Sequence, residues 1–303
     1  MDRAGLTLIA IMAVAGCGDA GRTVCEDTQS TDVRLLACPS AAPTEMVQIP
    51  AGAFVMGCGP SCRQAVGVLT GADMNALGPD HAVYLSAYEI DKTEVRVSDF
   101  YACIRAAGCP RTSPPPFLAY WDMDDPDTCN HPMTGVSWYG ASDYCAWAGK
   151  RLCTEAEWEK AARGADDRIF PWGNALPTCD LAVLNDTEET SLDSGGCGTG
   201  AVWPVGSKPA GASPYGVLDM TGNATEWVHD WWADYWPSSP DDAPPPTVDP
   251  EGPNSGLLRA SRGSSYYQWQ VVWGWHAAFA RQQGEPPETL CDEVGFRCCR
   301  DAE

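Results

Sequence analysis

The sequence predicts one loop-rich α+β domain that is held together by large aromatic side chains and disulfide bonds. Three observations predict this class. The 303 residues include 30 Gly and 25 Pro, which interrupt helices and strands. They include 13 Trp, whose large side chains can fill a core between short elements. They also include 15 Cys, which favours disulfide bonds if the chain is exported.

Two stretches with period-two alternation predict strands near the start of this domain. Residues 46–50 alternate and are followed by a Gly turn, and residues 81–90 alternate again. Residues 96–107 carry apolar side chains at helical spacing, so we expect a helix to follow the second strand.

Two more helices are marked by their caps. Ser137 is placed to cap a helix that runs through Ala148. Thr154-Glu-Ala-Glu has the pattern of a capping box and predicts a helix that ends before Gly164. The proline-rich stretch at 236–253 predicts a surface loop within the same domain.

The first residues have the pattern of a secretion signal. A charged start precedes an apolar run at 6–15, which is too short to span a bilayer as a helix. Cys17 follows Val-Ala-Gly, as in the lipobox of bacterial lipoproteins. We therefore predict a signal peptide at 1–16, lipidation of Cys17, a tether through residue 44 and a domain at 45–303. The alternative is an ordinary signal peptide that is cut near Gly16.

The charge excludes some partners. The formal net charge is −22, and no run of Lys and Arg offers a surface for nucleic acid or anionic lipid. We expect no nucleic-acid partner and an exported protein whose only contact with a bacterial membrane, on the periplasmic side or at the cell surface, is its lipid anchor. The acidity favours solubility and, secondarily, the binding of cations.

The cysteine count is consistent with export. Removing Cys17 from the 15 leaves fourteen, an even number that allows up to seven disulfides. A zinc site at CGPSC (58–62) is the alternative for two of them, but no second pair completes its ligands. Short spacings predict the local pairs Cys25–Cys38, Cys58–Cys62, Cys103–Cys109 and Cys179–Cys197.

Several segments together resemble the formylglycine-generating enzyme family, also called sulfatase-modifying factors. The resemblance covers nearly all of residues 45–301 and implies a single irregular domain related to C-type lectins. The segments, in family order, are MVQIPAGAFVMG (46–57), YEIDKTEV (88–95), HPMTGVSWYGASDYCAWAGKRLCTEAEWEKAARG (131–164), FPWGN (170–174), SPYGVLDMTGNATEWVHDWW (213–232), RASRGSS (259–265) and GFRC (295–298).

Family members oxidise a Cys of sulfatases to formylglycine with oxygen and a copper(I) ion held by two thiolates. The family places these cysteines six and eleven residues after the Arg of its RGGS motif. Counting from Arg262 leads to Gln268 and Trp273. Neither side chain can supply a thiolate, which copper(I) prefers. We therefore expect no copper site and no catalytic residue at these positions.

Other cysteines offer no clear replacement for the missing pair. The resemblance implies a structural disulfide between Cys145 and Cys298, which would consume Cys298. The remaining members of the fourteen cysteines are Cys129, Cys153, Cys291 and Cys299. We expect all fourteen to form disulfides in an exported chain. A copper site rebuilt from these residues is the alternative.

The resemblance also implies one calcium site. The family's ligand positions match Asp219, Gly222, Ala224 and Glu226, where carboxylates and backbone carbonyls would supply hard oxygen ligands. In the alternative, Asp219 caps a turn and Glu226 pairs with a surface cation. The second family calcium site is not expected, because Val183 stands where the family has Asn.

Two functions from different classes remain. In the favoured one, a lipid-anchored domain without oxidase activity binds an unknown peptide or glycan. Its cleft would be lined by Ser265, Gln268, Trp273, Trp275 and His276. In the other, the chain is an oxidoreductase that converts a protein Cys to formylglycine and uses metal ligands that the sequence does not identify. The four His do not suggest a metal site, and Ser264 and Ser265 lack the context of a hydrolase triad.

Overall fold

Short strands in three small sheets, joined by helices and long loops, make up the architecture. A computed structural model describes residues 38, 44–58, 80–109, 126–186, 195–233, 247–268, 276–282 and 284–302. All of them belong to one unit of the chain, Arg34–Glu303. The predicted signal peptide and Cys17 lie outside the described residues.

The strands are β1 (Met46–Ile49), β2 (Gly52–Met56), β3 (His81–Leu85), β4 (Tyr88–Asp91), β5 (Arg151–Leu152), β6 (Thr225–Trp231), β7 (Thr247–Val248), β8 (Arg259–Arg262), β9 (Val294–Phe296) and β10 (Cys298–Asp301). The α-helices are α1 (Val97–Arg105), α2 (Trp138–Trp147), α3 (Glu155–Arg163) and a distorted turn, α4 (Gly195–Gly198). Short 3₁₀ turns are formed by Pro126–Asn130 and Pro209–Gly211. None of the described helices is long and apolar enough to cross a membrane.

The strands pair in three separate sheets. The first has the order β1-β4-β10-β5 and is antiparallel throughout. The second has the order β2-β3-β7, in which β7 runs parallel to β3. The third has the order β8-β6-β9, so that Glu226 on β6 lies between Arg262 on β8 and Gly295 on β9. This third sheet carries the motifs that matter most for function.

The predicted helix caps are confirmed. The Ser137 hydroxyl accepts a hydrogen bond from the Gly140 N–H at 3.2 Å. Thr154 and Glu157 form both hydrogen bonds of the capping box, and Gly164 ends α3 with a φ of 75°. At the start of α2 and of α3, side chains thus bond N–H groups that have no partner within the helix itself.

Two predictions about strands need correction. The alternating run at 81–90 is two strands, β3 and β4, interrupted at residues 86 and 87, and the two belong to different sheets. Part of the proline-rich segment is not a loop, because β7 pairs with β3. Such pairing depends on residues far apart in the chain, which local patterns do not reveal.

The third sheet separates two hydrophobic clusters. Trp227 packs in one cluster with Phe100, Tyr144 and Phe296. The next residue, Val228, packs in the other cluster, which also contains Trp158. Consecutive residues of a strand point to opposite faces, so β6 contributes to both cores.

Long-range disulfides join the sheets to the helices. Cys145 is bonded to Cys298 and Cys153 to Cys299, with Cα–Cα distances of 5.6 and 4.8 Å. The two consecutive cysteines of β10 can reach partners on opposite sides because strand side chains alternate. The first pair is the one that the family resemblance implies.

Of the four local cysteine pairs that the sequence predicts, two are confirmed and one is wrong. Cys103–Cys109 and Cys179–Cys197 are confirmed. Cys25–Cys38 is wrong, because Cys38 is bonded to Cys129 and both are buried in the first cluster. Cys58 is disulfide-bonded, which excludes it as a zinc thiolate, whereas Cys62 lies outside the described residues.

Buried ion pairs link distant segments. The Arg297 and Glu226 side chains are both 0% exposed and share two hydrogen bonds of 2.7 Å. Arg297 also donates to the carbonyl oxygens of Asp91, Lys92 and Leu218. One guanidinium therefore joins the end of β4, the loop before β6 and β6 itself.

We predict that Arg297→Met lowers the free energy of unfolding by about 3–5 kcal/mol, because Glu226 keeps a buried charge without its partner. Urea unfolding measures this loss. Arg300→Met is the matched control: its side chain is 49% exposed and pairs with Glu89, so it should cost less than about 1 kcal/mol. Equal losses in the two variants would contradict the assigned role of Arg297.

Candidate functional site

The predicted cleft is built on the turn that follows β8. Gly263 has a φ of 78°, and a Cβ there would lie 3.2 Å from the Trp158 ring, so this turn favours glycine. The chain then brings Ser264 and Ser265 into the interior. Ser265 Oγ donates a 2.5 Å hydrogen bond to Glu293 Oε2. Ser265 is therefore a buried residue that positions the Glu293 carboxyl, rather than an exposed group.

Glu293 is a site residue that the sequence analysis missed. Burial raises the pKa of its carboxyl, and the charge of Asp292 raises it further, whereas the Ser265 hydrogen bond lowers it. Its protonated form is therefore easier to populate than that of an exposed glutamate. The only signal in the sequence is an acidic residue two positions before the GFRC motif.

Gln268 stands where the family has its first copper ligand, and its carboxamide is held by the protein. Its Nε2 donates to Gln282 Oε1 at 2.8 Å, and Gln282 Nε2 donates to the Gly263 carbonyl oxygen at 2.6 Å. Gln268 Oε1 is buried and has no hydrogen-bond partner. The arrangement offers an acceptor for a donor group of a ligand.

The residues of this cleft do not fit copper(I). Gln268 supplies no sulfur, and Trp273 and Trp275 lie outside the described residues. Every cysteine in the described part of the chain is in a disulfide, so none of them offers a thiolate. We derive no oxidation step from this cleft.

His276 is the last of the residues predicted to line the cleft. It is 1% exposed, and its Nδ1 is hydrogen-bonded to Ser264 Oγ at 2.8 Å. Ser264 Oγ also accepts from the Gly222 N–H, and Thr221 Oγ1 donates to the His276 carbonyl oxygen. Both side chains of the Ser264–His276 pair are buried, which does not support an exposed hydrolase dyad.

The predicted calcium ligands Asp219 and Glu226 have different surroundings. Asp219 has a φ of 58°, and its Oδ2 accepts from the Gly206 N–H at 2.5 Å. Glu226 accepts from Arg297 and, at 2.8 Å, from Trp158 Nε1. The cation beside Glu226 is therefore a buried arginine rather than the surface cation of the alternative.

Glu94 joins this site and was not predicted. It is 0% exposed, and its Oε1 accepts from Asn223 Nδ2 at 2.9 Å. Burial raises the pKa of Glu94 well above its usual value, and the negative charge of Asp219 adds to this. Burial also raises the pKa of Asp219. The hydrogen bond between the two carboxyls raises the pKa of Glu94 and lowers that of Asp219, so Glu94 is the carboxyl that holds its proton more tightly.

The chemistry of this region fits calcium in charge and donor type. Three buried carboxyls, those of Glu94, Asp219 and Glu226, share one buried guanidinium, that of Arg297. They do not converge as a ready-made cluster, because the described group of three potential ligand atoms within 4.8 Å is Cys291, Asp292 and Glu293. Cys291 is oxidised and supplies no thiolate to that group.

The loop that carries the predicted carbonyl ligands is closely packed. A Cβ at Gly222 would lie 2.4 Å from the Val183 carbonyl oxygen, and Gly222 has a φ of 80°. The same carbonyl accepts from the Asn223 N–H at 2.7 Å. This packing fixes the backbone between the two carboxylate positions, as an ion site with carbonyl ligands requires.

Comparison with known proteins agrees with this geometry. The model of the sulfatase-modifying factor enzyme 1-like domain matches residues 36–302. The chain is 32% identical over 312 residues to the formylglycine-generating enzyme of Thermomonospora curvata, covering 87% of this chain and 97% of that protein. It is 32% identical over 173 residues to the inactive C-alpha-formylglycine-generating enzyme 2 of Bos taurus, which is 56% of this chain and 50% of that one.

A solved structure shares the architecture. PvdO from Pseudomonas aeruginosa is 26% identical and has a TM-score of 0.60, with 86% of this chain and 95% of that chain covered. The segment order, the fold and the domain match therefore agree. The chain belongs to the family of formylglycine-generating enzymes, the sulfatase-modifying factors.

Proposed function

We propose that this chain is a sulfatase-modifying-factor-like domain without copper oxidase activity that acts by binding a peptide or a glycan. The observation that carries the proposal is Gln268. Its carboxamide is hydrogen-bonded to Gln282 at the position where family members have a copper-binding cysteine. The oxidised state of every described cysteine supports it. The relative from Bos taurus that is named inactive gives a precedent within the family.

The chemistry of the cleft supports a neutral, hydrogen-bonding ligand. Gln268 Oε1 is a buried acceptor without a donor, and Glu293 is a half-buried carboxyl with a raised pKa. Peptide N–H groups and sugar hydroxyls are donors that can satisfy both. Trp273 and Trp275, which follow in the sequence, would add flat apolar faces for such a ligand.

We predict that the mature domain, with its disulfides intact and loaded with copper(I), forms no aldehyde on a peptide with a Cys-x-Pro-x-Arg motif. The reason is that no described sulfur is available to hold the ion. Mass spectrometry of the peptide under oxygen gives the measurement, with a family oxidase as positive control. Aldehyde formation would support the alternative, an active formylglycine-generating oxidoreductase, and defeat the binding proposal.

A positive test of binding uses peptide and glycan arrays. We expect a ligand whose binding is lost in Gln268→Leu, because leucine has similar length but offers no acceptor. Gln48→Leu on the exposed face of β1 is the matched control and should bind as the unchanged protein does. Binding that is indifferent to Gln268 would place the ligand elsewhere.

We also propose one structural calcium ion, held by Asp219, Glu226 and the carbonyl oxygens of Gly222 and Ala224, with Glu94 as a further ligand. The support is the excess of three buried carboxyl groups, those of Glu94, Asp219 and Glu226, over the one buried guanidinium of Arg297. Calcium would balance this charge and tie the loop before β6 to the segment after β4. Glu226 would then share its carboxylate between the ion and Arg297.

We predict that chelator lowers the melting temperature of the unchanged protein and that Glu94→Gln loses this sensitivity. An ion present at about 100 times its Kd stabilises the folded state by about 2.7 kcal/mol. Differential scanning calorimetry with and without added calcium measures the effect. Glu251→Gln, at an exposed acid, should keep the full response. No response to chelator in the unchanged protein would remove the calcium proposal.

Export and lipid anchoring through Cys17 are proposed from the sequence alone. We predict that Cys17→Ser moves the full-length protein from the detergent phase to the aqueous phase in a Triton X-114 partition, because the acyl chains are lost. A lipoprotein with an intact lipobox serves as control. Recovery of the unchanged protein in the aqueous phase would favour an ordinary signal peptide.

A further inference from the structure

A second cavity lies between α3, β6 and the segment after β7. Its volume is about 180 Å³, and its described lining includes none of Ser265, Gln268 and His276. An apolar cavity of about 150 Å³ is large enough to hold a benzene molecule. This cavity therefore has room for a benzene-sized ring with a short substituent. Its apolar walls come from Met56, Ala156, Pro250, Pro253 and Phe279.

The two buried glutamates of the lining already have cationic partners. Glu155 accepts two hydrogen bonds from Arg281, of 2.6 and 3.1 Å. Glu159 accepts a 2.6 Å hydrogen bond from Arg262 and a 3.2 Å hydrogen bond from Arg163. Because these carboxylates and guanidinium groups balance one another, neither sign of charge is left over for a ligand.

Asp230, the other buried acid of the lining, adds little negative charge at neutral pH. It is 5% exposed, and its Oδ2 accepts from the Glu155 N–H at 2.7 Å. Burial, and then the negative charge of Glu155, raise the pKa of Asp230 to about 8. Its carboxyl is therefore largely protonated at neutral pH and does not attract a cation.

One donor of the lining has no partner. Arg262 is 0% exposed, and its two terminal nitrogens donate to Glu159 and to the carbonyl oxygens of Ala278 and Phe279. Its third nitrogen, Nε, has no hydrogen-bond partner among the described residues. A guanidinium N–H donates and never accepts. The group that satisfies this atom must therefore be an acceptor.

A second polar atom of the lining is also unsatisfied. Thr247 Oγ1 is buried and has no hydrogen-bond partner in the part of the chain that the structure describes. Its hydroxyl can donate to an acceptor. Leaving a buried polar group unpaired costs about 1–3 kcal/mol. Two unpaired donors in the lining of one small cavity favour a ligand whose polar group is an acceptor.

The surroundings also select the charge of the ligand. The chain carries a formal charge of −22, which repels anions. The acids of the lining are paired or protonated, so a cation gains little. A neutral acceptor is therefore favoured over both a carboxylate and an ammonium. A carbonyl oxygen is favoured over a hydroxyl, because it brings no donor of its own that would need a partner.

We propose that this cavity binds a small neutral carbonyl compound with an apolar body about the size of a benzene ring. The carbonyl oxygen accepts hydrogen bonds from the Thr247 hydroxyl and from Arg262 Nε, and the apolar body packs on Phe279 and Met56. This site goes beyond the peptide- or glycan-binding function proposed above and does not depend on it.

The test compares three probes by ligand-observed NMR titration of the unchanged protein at about pH 7. They are acetophenone, α-methylstyrene, which has a methylene group in place of the carbonyl oxygen, and benzoate, which carries a carboxylate on the same ring. We expect acetophenone to bind about threefold or more tightly than α-methylstyrene, because only acetophenone satisfies the two donors. Benzoate should bind about tenfold or more weakly than acetophenone, because its charge would be buried without a free counterion.

Thr247→Val is the decisive variant, because valine keeps the shape of the side chain and removes the hydroxyl. Acetophenone affinity should fall about three- to tenfold, while that of α-methylstyrene should not fall. Thr178→Val is the matched control: this threonine is exposed and outside the lining, so the affinity of both probes should stay the same. Ala233→Phe, at a residue of the lining, fills the cavity with a ring and should abolish the binding of both probes.

Four results would overturn the proposal. The first is acetophenone that does not bind at millimolar concentration, or that binds no more tightly than α-methylstyrene. The second is a Thr247→Val variant that binds acetophenone as the unchanged protein does. The third is binding that survives Ala233→Phe, which would place the probe elsewhere. The fourth is tighter binding of benzoate than of acetophenone, which would show that the site selects an anion. If Thr247→Val does not fold, Ala233→Phe and the three probes on the unchanged protein decide.

Discussion

The buried pair of Arg297 and Glu226 holds three segments of the fold together. Its two side chains are fully buried, and Arg297 also collects three backbone carbonyl oxygens from two other segments. A guanidinium suits this position because its planar fork donates in several directions at once. Three small sheets, none of which has a large core of its own, are held in register around such contacts and the disulfides of β10.

The residues that hold the fold together are different from those that are predicted to line the cleft. Buried ion pairs hold the sheets together, among them those of Arg262 and Arg297 with their carboxylate partners. These pairs form without a copper site. Gln268 takes the place of a thiolate at little structural cost, because Gln282 satisfies its amide nitrogen. The fold therefore does not depend on a copper site, which is compatible with the binding function that we propose.

Much of the scaffold could be predicted from the sequence because its signals are local. Ser137 and Thr154 mark helix starts by side-chain chemistry that acts over three residues. The pairing of Cys38 with Cys129 could not be predicted in the same way, because the two are 91 residues apart. The shortest spacing, to Cys25, was the natural but wrong choice.

The functional sites were predictable only in part. The resemblance led to Gln268 and Asp219 because both lie in motifs with a fixed register. Glu94 and Glu293 were missed, since a single acidic residue in a sequence does not reveal that folding will bury it. Their importance comes from burial and from neighbouring charge, which only the assembled chain defines.

The most direct test of the central claim is the affinity of the mature domain for copper(I), measured by competition with a chromogenic copper(I) chelator. We predict that the unchanged protein takes no stoichiometric copper from the chelator. The variant Gln268→Cys/Trp273→Cys, which has two thiols at the family's ligand positions, should gain copper(I) binding. One tightly held copper(I) per unchanged chain would show that the domain keeps a copper site, because it would require a pair of free thiolates that the described residues do not provide.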